Sequence, residues 1–433
     1  MPYFSELHEL LNDISLWADL RHEQGAKIKS AIKRLRKQLK RVKRELTVAK
    51  PKPKRAAREP NGLEDIRGLR PEGPRRLWEK LDTARLSDRM KGAWLGRAAG
   101  CTLGAPVEGW SIESMEQLAR RCGMDFPPSH YWAGHPFPDV VRYGVSRVED
   151  YLAGSIHWVP VDDDLTYTVL GLLILEEFGP GFTTADVGSA WLTYLPMACT
   201  AEHVALENLR AGVPALEAAE KGNPYQEWIG ADIRSDAWGY AAPGWPEQAA
   251  AFAYHDAYLS HRRNGLYGAM FFAAAIAAAF ALDDPVEALK VGLTEIPCDC
   301  RLAKDLRWAL DAAPQFADWR EARKTVDERF AGMHPVHTNN NACLTVFGLI
   351  LGENDFTRTI GTTVAMGLDN DCTAATAGSL LGAVIGAKRI PEYWWKPFRN
   401  KTQTYLREHE WFSNTDIVAR FLRAAKRVWK EQA

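Results

Sequence analysis

VDDDLTYTVLGLLILEEFGP, residues 161–180, places three consecutive carboxylates in front of a long apolar stretch. Residues 165–178 read as a helix that Gly179-Pro180 stops. A buried helix opening on Asp162, Asp163 and Asp164 raises two questions, one of fold and one of chemistry. The fold question is answered by the rest of the chain. From about residue 84 to 433, Ala-rich and Leu-rich periodic runs alternate with short Gly/Pro breaks, and alternating β-branched stretches are few. A second helix is expected over 265–282, closed by Asp283-Asp284-Pro285. No repeat at a solenoid period stands out. The pattern predicts an all-α domain rather than a βαβ sandwich.

The bulk numbers agree with a globular chain. With 433 residues, 46% of them hydrophobic, the chain is long enough for one large domain or two moderate ones. Seven cysteines at irregular spacing give no disulfide framework and read as reduced thiols. Cys298-Asp-Cys300 has no second Cys/His pair near it in sequence, which argues against a soft-metal site. The first twenty residues lack a basic segment followed by an apolar one, so no signal peptide is expected. AMFFAAAIAAAFAL (269–282) is too short and Ala-rich to span a bilayer, so no membrane partner is expected and the chain reads as soluble and cytoplasmic.

The net charge of −1 hides an uneven distribution: fifteen Lys or Arg fall between Lys27 and Arg58. Residues 1–50 read as a basic helical extension of two helices. In the second, Ile28, Ile32, Leu35, Leu39, Val42 and Leu46 recur at steps of four and three, a short seam wrapped in positive charge. A solvated face, a docking helix and a nucleic-acid patch all fit it; the lack of aromatic residues to stack on bases weighs against the last. Residues 51–83 read as a linker, with PKPKRAAREPNG (51–62) extended and exposed. Residues 84–433 form the expected main domain.

Three constellations carry chemistry. In DRMKGAWLGRAAGCTLGAPVEGW (88–110), Gly92, Gly96, Gly100 and Gly104 lie four apart and line one helix face. Such a ridge admits a close neighbour at a cost of about 1 kcal/mol per Gly relative to Ala. Helix packing alone explains the glycines but leaves Glu108 unexplained. The second constellation is the Asp triplet. One Asp suffices to cap a helix N-terminus, where the dipole and free N–H groups favour negative charge. Three exceed that need, and a hard divalent cation would relieve their repulsion; a cap followed by a solvated loop is the alternative. The third is MGLDNDCTAATAGSLLGAVIGA (366–387), where Asp369 and Asp371 again open a small-residue helix. Two acidic helix starts about 200 residues apart suit a binuclear oxygen-ligand centre.

The Gly ridge ending in Pro-Val-Glu, the Asp-Asp helix start and the Gly-x-Asp-x-Asp start occur in the order and spacing of the ADP-ribosylglycohydrolase family. The chain resembles that family, which includes dinitrogenase reductase-activating glycohydrolase and crystallin J1, over roughly residues 84–400. The resemblance implies a compact, orthogonal multi-helix fold with two Mg²⁺ (or Mn²⁺) ions in a central cleft. It implies metal ligation by Asp163 and Asp164 and by Asp369 and Asp371, with Glu108 near the metals as the group that positions or activates the nucleophile. The chain departs from the pattern at Asp162 and Leu165, where Thr is implied, and at Cys372, a poor Mg²⁺ ligand for which Thr373 is the nearest substitute.

Breaking a ribosyl bond builds oxocarbenium character at C1, which carboxylates offset. Glu108 and Asp163 are therefore the expected catalytic residues, and Asp162, Asp163, Asp164, Asp369, Asp371 and Thr373 the expected metal set. Arg234, His261, Asn264, His337 and Asn340 are the expected substrate contacts, with Asp232, Asp236 and His334 beside them; a helix-capping loop or a surface ion pair is the plainer account of several. The His334/His337 pair lacks a third ligand and Pro335 interrupts it, which argues against zinc. The expected activity is Mg²⁺-dependent hydrolysis of an ADP-ribosyl or related N- or O-ribosyl bond, on a small molecule or a protein. The alternatives are hydrolysis of another glycoside or nucleoside derivative on the same scaffold, and non-catalytic metal or ligand binding.

Overall fold

The computed structural model describes residues 3–432. Helices carry the architecture among these residues. Strands occur only as two short antiparallel pairs, Val141–Arg142 with Ser146–Arg147 and Lys401–Gln403 with Trp411–Ser413. The fold is all-α, as the periodicity indicates.

Its axis is a pair of antiparallel helices, Thr83–Gly104 and Asn370–Ile385, both buried along most of their length. The glycine ridge is what lets them touch. A Cβ at Gly92 would lie 2.3 Å from the Gly382 carbonyl oxygen, one at Gly96 2.1 Å from that of Gly378, and one at Gly100 2.0 Å from that of Ala374. Any side chain there would drive the backbones apart. At the end of the ridge, a Cβ on Gly104 would sit 2.4 Å from the Cα of Asp371. The packing thus fixes where the Asp369–Asp371 start lies relative to the turn Ala105–Val107, which delivers Glu108.

Around this pair lie the helices Asp163–Phe178, Thr338–Leu351 and Asn414–Glu431, together with Asn264–Ala279, which is buried on every face. A helix apolar all round belongs in a core rather than on a surface. It ends at Ala279 rather than at residue 282. Arg89 from the glycine helix donates to the carbonyls of Ala279 and Phe280 at 2.9 and 3.1 Å, satisfying groups that a further turn would have used. Asp284 instead caps the next helix, accepting from the Val286 N–H.

The two N-terminal helices form, over Ser5–Glu23 and Lys29–Val48, and neither contains a buried residue. Residues 51–62 differ from the extended, exposed segment expected. Pro53–Arg58 is a helical turn and a half, with Pro at its first position where its missing N–H is not needed. Glu59 is then buried. It accepts from the Arg301 backbone N–H at 3.0 Å, at the start of the helix Arg301–Ala312, and pairs with Arg55 and Arg263. A short helix, Leu63–Leu69, buries Ile66, and Arg70 reaches Glu295 at 2.6 Å. The Pro- and charge-rich composition concealed this because the partners of its charges lie some 200 residues away in sequence.

Candidate active site

Three chain segments bring six carboxylates together: Glu108 beyond the glycine helix, Asp162 to Asp164 at the start of one helix, and Asp369 and Asp371 at the start of another. Ligand oxygens of Glu108, Asp369 and Asp371 lie within 4.8 Å of one another; Asp162 and Asp164 form a second such group with the Cys101 thiol. Asp162, Asp164 and Asp371 are buried and form the floor. Asp163 and Asp369 are partly exposed and Glu108 is exposed, so these three form the mouth.

Each member of the triplet has a separate answer to its charge. Asp162 caps the helix, accepting from the Asp164 N–H at 3.1 Å, and its other oxygen takes Arg142 at 3.0 Å. Asp163 accepts from the Tyr143 hydroxyl at 2.6 Å. Asp164 faces Arg97 at 3.2 Å. Arg97 is completely buried. It also donates to Thr168 Oγ1 at 2.9 Å, to the carbonyls of Asp164 and Ile233 at 2.9 and 2.6 Å, and to Asp236 at 2.7 Å. Burial alone would lower its pKa; the Asp236 and Asp164 charges outweigh that and raise it.

The loop before the second acidic start is held in the left-handed region at Gly367 (φ 70°) and Leu368 (φ 63°). Such a conformation costs a non-glycine residue energy and persists only where the surroundings impose it. Here the Gly109 N–H donates to the Leu368 carbonyl at 3.0 Å, joining the Glu108 loop to the Asp369 loop, and Asn341 Oδ1 accepts from the Asp369 N–H at 3.2 Å.

The cluster is short of positive charge. Six carboxylates face two guanidinium groups, Arg97 and Arg142, leaving four negative charges unmatched, and Arg97 is shared with Asp236. Burial, and then the Glu108 and Asp162 charges, push the Asp371 carboxyl up to about 8. Asp163 and Asp164 are raised by burial and Asp162, Arg97 opposing at Asp164; Asp369 is raised by burial and Asp371. Without further cations these carboxyls give up their protons less readily than free ones do. Thr373, one turn into the second acidic helix, has a buried hydroxyl that no protein group satisfies. Hard oxygen donors, excess negative charge and an unmet hydroxyl fit a divalent cation. Cys101 does not: burial keeps its thiol protonated, and sulfur suits softer metals. Leu165 and Cys372 lie in the core.

The substrate residues expected from sequence are occupied elsewhere. Arg234 is buried, pairs with Asp256 at 2.9 Å and donates to Ser260 at 3.0 Å. His261 is buried with Nδ1 2.8 Å from Ser260 Oγ. Asn264 bridges Glu227 and the Leu302 N–H, at 2.7 and 2.9 Å. His337 caps the helix Thr338–Leu351, and burial pushes it down to about 3. Asn340 donates to the His334 carbonyl at 3.0 Å, and His334 stacks on Trp228. Asp236 belongs to Arg97, while Asp232 is buried with both oxygens unpartnered. A cavity of about 390 Å³ lined by Lys91, Trp395 and Arg399 shares no residue with the cluster.

Arg97 and Arg142 were not anticipated. The signal for Arg97 is a lone charge in an Ala/Gly helix, which must be paired if the helix is buried. The signal for Arg142 is Val-Val-Arg-Tyr-Gly-Val, apolar residues flanking a Tyr-Gly turn, which marks a hairpin.

The family model for ADP-ribosylglycohydrolase matches residues 82–431. Among solved structures, one described as an ADP-ribosylglycohydrolase-related protein complex superposes with a TM-score of 0.55 at 21% identity, over 79% of this chain and 99% of that one. Among curated proteins none matches. The match spans the glycine helix, both acidic helix starts and the C-terminal helix, and the chain belongs to the ADP-ribosylglycohydrolase family of glycosidic-bond hydrolases.

Proposed function

We propose that the chain hydrolyses an ADP-ribosyl or related N- or O-linked ribosyl bond at the six-carboxylate cluster, with Mg²⁺ or Mn²⁺ as the cation. The observation that carries this reading is the convergence of Glu108, Asp369 and Asp371 within 4.8 Å, beside the Asp triplet. Asp163, Asp164, Asp369, Asp371 and Thr373 are the residues suited to hold the cation, which when bound supplies a Lewis acid for ribose hydroxyls and for water. Asp162 contributes less, and so does Asp371, since both oxygens of each already accept from protein donors.

The mouth residues do the chemistry. Glu108 is exposed, and Arg142 orients its carboxylate from 3.0 Å, leaving an oxygen free to take a proton from an attacking water. Asp163, held by Tyr143, and Asp369 present negative charge toward a sugar whose C1 becomes positive as the bond breaks. Arg234, His261, Asn264, His337 and Asn340 serve internal contacts in this reading rather than meeting substrate directly.

The test is a substrate panel of ADP-ribosyl-arginine, ADP-ribosyl-serine and simple glycosides, each with Mg²⁺ and with EDTA. Activity on a ribosyl substrate that EDTA abolishes is expected, and turnover indifferent to chelation removes the cation from the reading. Glu108→Gln is expected to lower turnover by at least ~100-fold, the low end for loss of a general base, while cation uptake persists. Near-normal turnover in that variant rules out its role.

A further inference from the structure

We infer that Arg142 is a tethered counter-cation, whose guanidinium takes a place among Glu108, Asp162 and Asp371 that would otherwise admit a second divalent ion. The inference rests on the reading of the cluster as a cation site and concerns how many ions it accepts.

Arg142 donates through one terminal nitrogen to Asp162 and Asp371, at 3.0 and 3.1 Å, and through the other to the Ala105 carbonyl at 2.9 Å, with the Glu108 carboxylate ion-paired 3.0 Å from that second nitrogen. One side chain therefore links all three acidic segments. A planar guanidinium with fixed donors suits several carboxylates at once, where a lysine would offer a single point of charge. Its side chain is only 15% exposed, so this is no surface ion pair sampled in passing.

The chain delivers it on a purpose-shaped support. Arg142 opens a tight turn in which Tyr143 and Gly144 both have positive φ, 51° and 70°, and the Val145 N–H returns to the Arg142 carbonyl at 3.0 Å. Two left-handed residues in succession are the mark of a hairpin turn that follows strand twist, and a tyrosine adopts this conformation only at a cost. The tyrosine is used: its hydroxyl holds Asp163, and its ring stacks on Tyr405 with centroids 5.6 Å apart. Beyond the turn, Ser146 accepts from the Val161 N–H at 3.0 Å, tying the hairpin to the residue before the triplet. The Tyr151 ring lies 5.7 Å from the guanidinium carbon, and its hydroxyl donates to the Val161 carbonyl. Hairpin and triplet are one unit, so the positive charge is built in.

The consequence is stoichiometric. Both oxygens of Asp162, both of Asp371 and one of Glu108 are engaged by the protein's own cationic or N–H groups. What remains open is the side of the cluster formed by Asp163, Asp164 and Asp369.

Titration of the full-length protein with Mn²⁺, following the free-ion signal by electron paramagnetic resonance, tests this. Wild type is expected to bind one ion without spin coupling. Arg142→Ala and Arg142→Met are expected to bind two with a coupled signal, Met preserving the stem's packing should Ala not fold, and Arg142→Lys to stay near the wild-type count. Two coupled ions in wild type overturn the inference without any variant. Equal counts in wild type and Arg142→Met overturn it as well. If that shared count is one or two, the cation site itself stands; if it is zero, the cation reading falls too.

Discussion

At the residue scale, Arg97 shows how a charge survives in a core. No part of it is exposed, yet its donors meet Thr168, Asp236, Asp164 and two carbonyls. Removing it would strand two buried carboxylates. Arg97→Met is therefore expected to destabilise the fold by about 3–5 kcal/mol, the usual penalty for breaking a buried pair from one side. Chemical denaturation measures it, and a loss below about 1 kcal/mol would show that Asp164 and Asp236 find other partners. The triplet and Asp371 make the opposite case, acids with too few cations. A carboxyl whose folded pKa exceeds its unfolded value keeps a proton that the unfolded chain has lost, so its contribution to stability falls as pH rises. For Asp371 the window runs from 3.8 to about 8. In EDTA the melting temperature should drop between pH 5 and pH 8. A loss of about 2 kcal/mol would appear as roughly 2–4 °C or more. Mg²⁺ at pH 8 should restore it by binding the deprotonated cluster. A flat profile in EDTA would mean that Arg97 and Arg142 suffice.

At the element scale, the glycine helix is a spacer that places chemistry. Its ridge sets the distance to Asn370–Ile385, and that distance sets where Asp371 stands relative to Glu108. Gly96→Ala, whose Cβ would lie 2.1 Å from the Gly378 carbonyl oxygen, cannot be absorbed by a rotamer change because the obstacle is backbone. It is expected to cost about 1–3 kcal/mol, as overpacking does, and to weaken Mn²⁺ binding although it touches no ligand. Thermal melts and Mn²⁺ titration check both effects, and unchanged Mn²⁺ affinity would show that the acidic starts are positioned independently of the ridge. This element was legible in the sequence because glycines four apart have one geometrical meaning in a helix. The Asp triplet and Asp369-Asn-Asp371 were legible as helix starts for a similar reason: local spacing declares them. Arg142 was not, since a lone arginine near a Tyr-Gly turn says nothing of the acids it will meet across the fold. Arg234, His261 and Asn264 pose the reverse case. Their polarity suggested a ligand, whereas Asp256, Ser260 and Glu227 claim them.

At the scale of the whole molecule, the two N-terminal helices and the segment after them behave differently. The helices Ser5–Glu23 and Lys29–Val48 bury nothing, and Leu39, Val42 and Leu46 of the seam stand exposed. Residues 59–78, by contrast, are woven into the body. Asn61 accepts from the Arg263 N–H at 2.9 Å, the Cys298 N–H donates to the Leu69 carbonyl at 2.9 Å, and the Leu77 N–H donates to the Gly244 carbonyl at 2.8 Å. Tolerance of truncation follows burial and hydrogen bonding of the backbone removed, not its position in sequence. Deleting residues 1–49 is therefore expected to leave the melting temperature within about 2 °C of the full chain, a shift equivalent to no more than roughly 2 kcal/mol. Deleting 1–70 removes Glu59, Ile66 and Arg70 together, leaves Arg263 with Glu227 alone and Glu295 with Arg75 alone, and is expected to yield insoluble or strongly destabilised protein. Glu59→Ala separates the two effects within an intact chain: with Arg263 left half-buried and the Arg301 helix start without its anion, a loss of about 2 kcal/mol or more is expected. Should Glu59→Ala melt like wild type while the deletion to residue 70 collapses, the apolar anchor at Ile66, rather than the ion pairs, is what fastens this segment to the domain.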